Sequence, residues 1–223
     1  MVYNSISGNK VFVSWSGGKD AYLSLLLAKE QGLEIDCLLS FVGGDGYSRS
    51  HGLKTEVLER QAEALSLEFE MKVVTWESYE EGFAAAVQSL KNERGISGGV
   101  FGDVNLPGHR EWIEKMAARC QIEYNLPLWM MEERAVTGEL IKRGGKALIV
   151  AIRNDMVDEK WIGRVIDDTY VDYCLGQGIS PCGEAGEAHT LVVGGPLFKE
   201  PLRYSLGPVK RNETRSLVEI YLP

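Results

Sequence analysis

Several signals are missing from this 223-residue sequence, and each absence removes a class of protein. No apolar run approaches the ~20 residues that a membrane-crossing helix needs. The opening residues, Met1-Val2-Tyr3-Asn4, carry neither the basic region nor the apolar core of a secretory signal, so the expectation is a cytoplasmic protein. Cysteine is scarce. Cys37, Cys120, Cys174 and Cys182 form no Cys-x-x-Cys pair, so neither a zinc site nor a disulfide framework is signalled. The first three read as small core residues, while Cys182 sits in an unusual motif. Basic charge is also short: 24 Lys and Arg stand against 32 Asp and Glu, a formal net charge of -8. A broad nucleic-acid footprint needs clustered cations, which leaves a protein substrate or a small local RNA contact. Internal repeats and low-complexity segments are absent.

What remains is ordinary soluble-protein material, 44% hydrophobic and 25% charged, long enough for one large domain with a small appended one. From residue 11 to 151, short apolar runs alternate with helical patterns. Val11-Phe12-Val13-Ser14-Trp15 reads as a buried strand. Tyr22, Leu23, Leu26 and Leu27 mark one face of a helix over residues 19–31, with Gly32 as its stop. Strands follow at 35–42, 70–75, 99–102 and 147–151. Helices fall between them at 54–66, 79–92, 109–120 and 132–143, with a short segment at 121–125. This rhythm predicts right-handed crossovers and a parallel sheet covered on both faces. After residue 151 the pattern changes to a helical stretch over 159–177, a Gly- and Glu-rich loop over 178–188, and strands at 190–193 and 217–222. Lys210 to Thr214 reads as a polar turn. The resulting architecture is α/β: a Rossmann-like domain over 1–135 and a smaller α+β domain over 136–223.

Ser16-Gly17-Gly18-Lys19-Asp20 falls between the first strand and the first helix, where a phosphate site belongs. Two glycines let consecutive backbone N–H groups approach an anion, and the helix start adds unpaired N–H groups and a positive dipole end. Ser16 offers a hydroxyl, Lys19 a full charge, and Asp20 a carboxylate for Mg²⁺. The spacing is neither Gly-x-x-x-x-Gly-Lys-Ser/Thr nor Gly-x-Gly-x-x-Gly. Ligands of open α/β sheets lie beyond the carboxyl ends of the strands, which brings in Gly102-Asp103-Val104. Asp103 suits either magnesium or ribose contact, or a turn-capping role. Residues 43–50 would lie beside the nucleoside, with backbone groups of Leu39 to Phe41 at the base edge.

Late in the chain, Cys182-Gly183-Glu184-Ala185-Gly186-Glu187-Ala188-His189-Thr190 gathers two carboxylates, a histidine and a cysteine among glycines. The cluster suits binding of a cationic substrate, or proton transfer. It matches no standard zinc pattern. The competing reading is a loop whose glutamates cap nearby N–H groups. Cys182 lacks an evident base beyond His189, which argues against a covalent nucleophile. His51 and His109 read as structural or solvent-facing, and the five tryptophans as core or interface residues.

With these residues in view, the sequence resembles the PP-loop ATP pyrophosphatases and, more narrowly, the diphthine–ammonia ligase family. Four matches carry the resemblance, in the family order. They are Ser16 to Asp20, the strand-turn-helix around Gly98 to Trp112, Ile162-Gly163-Arg164-Val165-Ile166-Asp167, and Cys182 to Thr190 followed by Gly195-Pro196-Leu197-Phe198. Ala21 departs from the serine usual in the wider class. The resemblance implies an adenine-nucleotide alpha-hydrolase-like fold using ATP and Mg²⁺. An acceptor carboxylate on a diphthine-bearing elongation factor would be adenylated with release of pyrophosphate, and ammonia would then displace AMP. It implies catalytic roles for Lys19, Asp20, Glu184 and Glu187, with Asp20 on the metal. ATP binding would fall to Ser14, Ser16, Gly17, Gly18, Lys19, Asp20, Phe41, Gly102 and Asp103. The acceptor would meet Cys182, Gly183, Glu184, Gly186, Glu187, His189 and Thr190. Two rival readings are a related ATP pyrophosphatase acting on tRNA or a small molecule, and a nucleotide-binding module without chemistry. A homodimer is compatible with the sequence.

Overall fold

The computed structural model describes residues 10–223; the Met1 to Asn4 stretch read above lies outside them. Strand β1 (Lys10–Ser14) sets the layering through its alternation. Val11 and Val13 enter one hydrophobic cluster while Phe12 enters another, as a side-chain period of two demands. Around it lie β2 (Glu34–Val42), β3 (Glu68–Val73), β4 (Gly98–Val100) and β5 (Glu123–Asn125). The order is β3-β2-β1-β4-β5, with every pair parallel. Helices α1 (Lys19–Glu30), α2 (Thr55–Leu65), α3 (Tyr79–Arg94) and α4 (Pro107–Cys120) make the connections. Phe12, Leu39 and Phe41 pack with Phe83 and Val87 of α3 and Ile113 and Met116 of α4. On the other face Val11, Val13 and Leu38 pack with Tyr22 and Leu25 of α1 and Leu58 of α2. A parallel sheet covered on both faces is the predicted Rossmann-like arrangement.

The chain continues through α5 (Glu133–Lys142), β6 (Lys146–Arg153), α6 (Asp168–Gln177), β7 (Ala188–Gly194), β8 (Ser205–Arg211) and β9 (Arg215–Tyr221). These strands form a second, antiparallel sheet in the order β7-β6-β9-β8. Its inner side chains, including Leu148, Leu191, Val192 and Ile220, join the same cluster as Val11 and Tyr22. Helix α1 is therefore enclosed, which explains why Ala21, Tyr22, Leu23, Ser24, Leu25 and Leu26 are all buried, although a surface helix buries only one stripe. The Gly195-Pro196-Leu197-Phe198 segment helps fasten the two halves. The Leu197 N–H donates to the Tyr22 hydroxyl at 3.2 Å, and the Phe198 ring lies 5.5 Å from the Tyr22 ring. A Cβ on Gly195 would run into that same hydroxyl.

Three sequence expectations need correction. The helical stretch at 159–177 is a short 3-10 turn at Glu159–Trp161, an extended bridge pairing Val165 with Leu148, and α6. Its Arg164 stacks over Trp161 at 4.5 Å and Asp167 caps α6, so the Ile162 to Asp167 motif ties α6 to β6. Strand β8 was not foreseen, and Lys210 and Arg211 belong to it rather than to a turn. Six of its seven residues are exposed, so it carries no strong apolar alternation. Finally, Trp76 is 66% exposed, stacked on Tyr79 rather than buried in a core.

Candidate active site

The strand order reverses at β1 and β4, and the cleft opens at the carboxyl ends of these two strands. Here the chain turns through Gly17, at φ +79°, into α1. Gly102, beyond β4, approaches α1 so closely that a Cβ would stand 2.9 Å from the Asp20 carbonyl carbon and 3.0 Å from the Ala21 nitrogen. Gln61, fully buried on α2, holds the turn in place. Its carbonyl accepts from Trp15 Nε1 at 3.0 Å, and its amide donates to the carbonyls of Gly17 at 2.9 Å and Val192 at 2.7 Å. Thr190 of β7 supplies the hydroxyl that accepts from the Lys19 N–H at 3.1 Å. The second sheet thus supplies the cap that the start of α1 lacks locally.

A cavity of about 330 Å³ lies over this turn. Ser14, Ser16, Lys19, Asp20, Gly102 and Asp103 reach it from the first sheet. Cys182, Gly183, Glu184, Gly186, His189 and Thr190 reach it from the late motif, so two segments far apart in sequence share one space. Phe41 lies instead in an adjoining cavity of about 160 Å³ that shares Ser14, Ser16 and Ser50 with the first. Arg49, Trp76 and Tyr79 also line it. Glu187 lines neither. It is 4% exposed, its Oε2 is buried without a partner, and its carbonyl accepts from the Arg153 N–H.

Lys19 is 4% exposed, and its ammonium donates to Asp20 Oδ2 at 2.6 Å and to the Cys182 carbonyl. Burial works against its charge, but the Asp20 carboxylate and its other neighbours more than offset this and hold its pKa above the ordinary value. Asp20 Oδ1 is buried and unpartnered. No group of three or more His, Cys, Asp or Glu side chains among the described residues is arranged to hold a metal by itself. Burial, reinforced by Asp20 and Asp103 against the pull of Lys19, pushes the Glu184 carboxyl up to about 7. The Cys182 thiol points away from this chemistry. It donates to the Glu133 carbonyl at 3.0 Å, and burial pushes its pKa up to about 12.

Both histidines read from sequence as structural or solvent-facing line the large cavity. His109 Nδ1 sits 2.9 Å from Asp103 Oδ1, and that hydrogen bond raises its pKa. His51 Nδ1 contacts the Thr190 carbonyl at 3.0 Å, and its ring centroid lies 4.7 Å from that of His189. Ser50, Leu106, Ala21 and Ala188 complete the lining. The one sequence signal for His51 was its position just beyond the loop expected beside the nucleoside.

The family model for the diphthamide synthase N-terminal domain matches residues 9–123, and that for the diphthamide synthase C-terminal domain matches residues 130–220. The chain belongs to the diphthamide synthase family. Among curated relatives, diphthine–ammonia ligase of Danio rerio is 22% identical over 212 residues, covering 84% of this chain and 83% of the relative. The enzymes of that name from Rattus norvegicus and Homo sapiens are 21% and 22% identical, each covering 84% of this chain and 79% of the relative. No helix among the described residues is long and apolar enough to cross a membrane.

Proposed function

We propose that this family member is an ATP-dependent ligase of the diphthine–ammonia ligase kind. It would adenylate an acceptor carboxylate, release pyrophosphate, and amidate the acyl-adenylate with ammonia. The observation that carries this reading is the buried Lys19 ammonium at the phosphate turn, in one cavity with a carboxyl, Glu184, held near neutrality.

The nucleoside fits the smaller cavity, where Phe41 and Tyr79 stand with ring centroids 5.0 Å apart and Arg49 lines the wall. The triphosphate would then cross Ser14 and Ser16 to the N-terminus of α1. Lys19 would stabilise the charge that grows on pyrophosphate as the acceptor oxygen bonds to the α-phosphorus. Burial makes that charge worth more than it would be in water. The residues also fit a magnesium ion held largely by phosphate. Asp20 Oδ1 is an orphaned buried acceptor, and Mg²⁺ commonly takes one or two carboxylates and fills its shell with water and phosphate oxygens. When bound, the ion would neutralise triphosphate charge.

Glu184 is assigned the proton transfer. A carboxyl titrating near 7 is matched to working pH, so it can take a proton from the attacking nitrogen as the C–N bond forms and AMP leaves. Glu187, turned into the protein beneath the motif, is assigned to holding the loop. The acceptor is a diphthine-bearing elongation factor. The test follows α-labelled ATP with magnesium and ammonium, with and without that factor. AMP and pyrophosphate formed only with the factor are expected. The same products without it would keep adenylation and discard the acceptor, and ADP with phosphate would overturn the chemistry.

A further inference from the structure

The wall of the large cavity formed by His51 and His189 has no task in the steps above, and its hydrogen bonds determine what it can bind. His51 Nδ1 faces the Thr190 carbonyl, which only accepts, so Nδ1 carries the proton and Nε2 is left with a lone pair. His189 Nε2 stands 2.7 Å from Arg215 Nη1, which only donates, so His189 Nε2 carries the lone pair and Nδ1 the proton. The ring centroids lie 4.7 Å apart with the planes tilted by 34°. Gly18 lies so close beneath His51 that a Cβ there would run into the ring, so the imidazole rests on the phosphate turn. Burial, His189 and Lys19 push His51 down to about 3, and burial, Arg215 and Lys19 push His189 down to about 4. Both rings are therefore neutral at physiological pH.

A neutral imidazole that has spent its only N–H can accept a hydrogen bond but cannot donate one. That makes His51 Nε2 a poor partner for phosphate or carboxylate oxygens and a good one for an N–H. Among the small reactants of the proposed reaction, the nucleoside donors are assigned to the adjoining cavity, which leaves ammonia. Lys19 and Arg215, both cations, flank the histidine pair and disfavour ammonium there relative to uncharged ammonia.

We propose that His51 is the ammonia acceptor of this site: its Nε2 takes one N–H of ammonia and leaves the nitrogen lone pair free to attack, while His189 and Arg215 position the ring. The inference rests on the ligase reading and adds the place of the nucleophile. The nitrogen lone pair forms the C–N bond, the carbon–oxygen bond to AMP breaks with its electrons leaving on the phosphate oxygen, and one proton of the nitrogen passes to the Glu184 carboxylate. His51 stays neutral throughout.

The experiment compares two reactions of the wild-type chain with those of His51→Leu and His51→Gln. One is ATP–pyrophosphate exchange with the diphthine-bearing factor in the absence of ammonium. The other is amide formation at varied ammonium and saturating ATP. His51→Leu removes the acceptor, and loss of one such hydrogen bond should raise KM for ammonia about fivefold. Any change in exchange should be smaller than the rise in the ammonia KM. Gln can offer a carbonyl oxygen in place of Nε2, so His51→Gln should bring the ammonia KM back to within about twofold of wild type. Arg215→Met, from the rim of the site, should raise the same KM at least twofold and gives a second reading if His51→Leu does not fold. An unchanged ammonia KM in these variants, or an equal loss in exchange and amide formation, overturns the proposal. Absence of factor-dependent exchange in the wild type would instead sink the ligase reading, and the ammonia site with it.

Discussion

Replacing Gln61 with leucine isolates the polar link between the two sheets. Leucine is close to glutamine in volume, so the change removes polar partners without opening a large cavity. Trp15 Nε1 loses its acceptor and the Val192 carbonyl loses its amide donor, while the Gly17 carbonyl keeps its bond from the Val192 N–H. Two fully buried groups are thus orphaned. At about 1–3 kcal/mol for each unsatisfied group, the expected loss is about 4 kcal/mol. For a chain of this size that corresponds to a fall in Tm of roughly 8–16 °C. Urea unfolding followed by tryptophan fluorescence should show the midpoint moving down with the m-value unchanged, the sign of lost native stability rather than an altered unfolded state. Because the link also fixes Gly17, nucleotide affinity should weaken even at temperatures where the variant is fully folded. A loss below about 1 kcal/mol, or a stability loss with ATP affinity intact, would refute the idea that Gln61 ties the phosphate turn to β7.

Gly18→Ala should destabilise by about 1–3 kcal/mol, the usual range for overpacking, since the Gly18 backbone is extended and the only conflict is with neighbours, His51 first. Adding His51→Ala should recover part of that loss in a double-mutant cycle, and additivity would remove the argument. At saturating ammonia, amide formation by the wild type should rise with pH through about 7 as Glu184 ionises, and Glu184→Gln should abolish that limb of the profile. The stability sign is opposite. A carboxyl raised above its unfolded value stabilises fully at low pH and loses that contribution as pH climbs through about 7, so Glu184→Gln should gain on wild type in unfolding measured at pH 8. Cys182→Ala should keep turnover within a few-fold, and the native thiol should resist alkylation at pH 8, because it is held protonated against the Glu133 carbonyl. Rapid alkylation with loss of activity would return Cys182 to the chemistry.

The sequence by itself determined the repeating strand-helix order and the position of the phosphate turn. Both are local: apolar alternation in Val11-Phe12-Val13 reports a doubly buried strand, and Ser16 to Asp20 reports a turn that needs glycine backbone. It also offered Lys19 and Glu184 as candidates by type and spacing, and both line the same cavity. Only the tertiary structure decided which late residues face the cavity. Glu184 and Glu187 are equivalent as letters, but the path of the loop into β7 sends one to the cavity and the other beneath it. Gln61, Thr190 and His51 were likewise invisible as a set. Their partners lie 44, 171 and 139 residues away, in Gly17, Lys19 and Thr190 respectively. No periodicity in a single segment encodes such pairings. They arise because α1 is buried between two sheets, and most polar groups brought into that space take a partner from the other side.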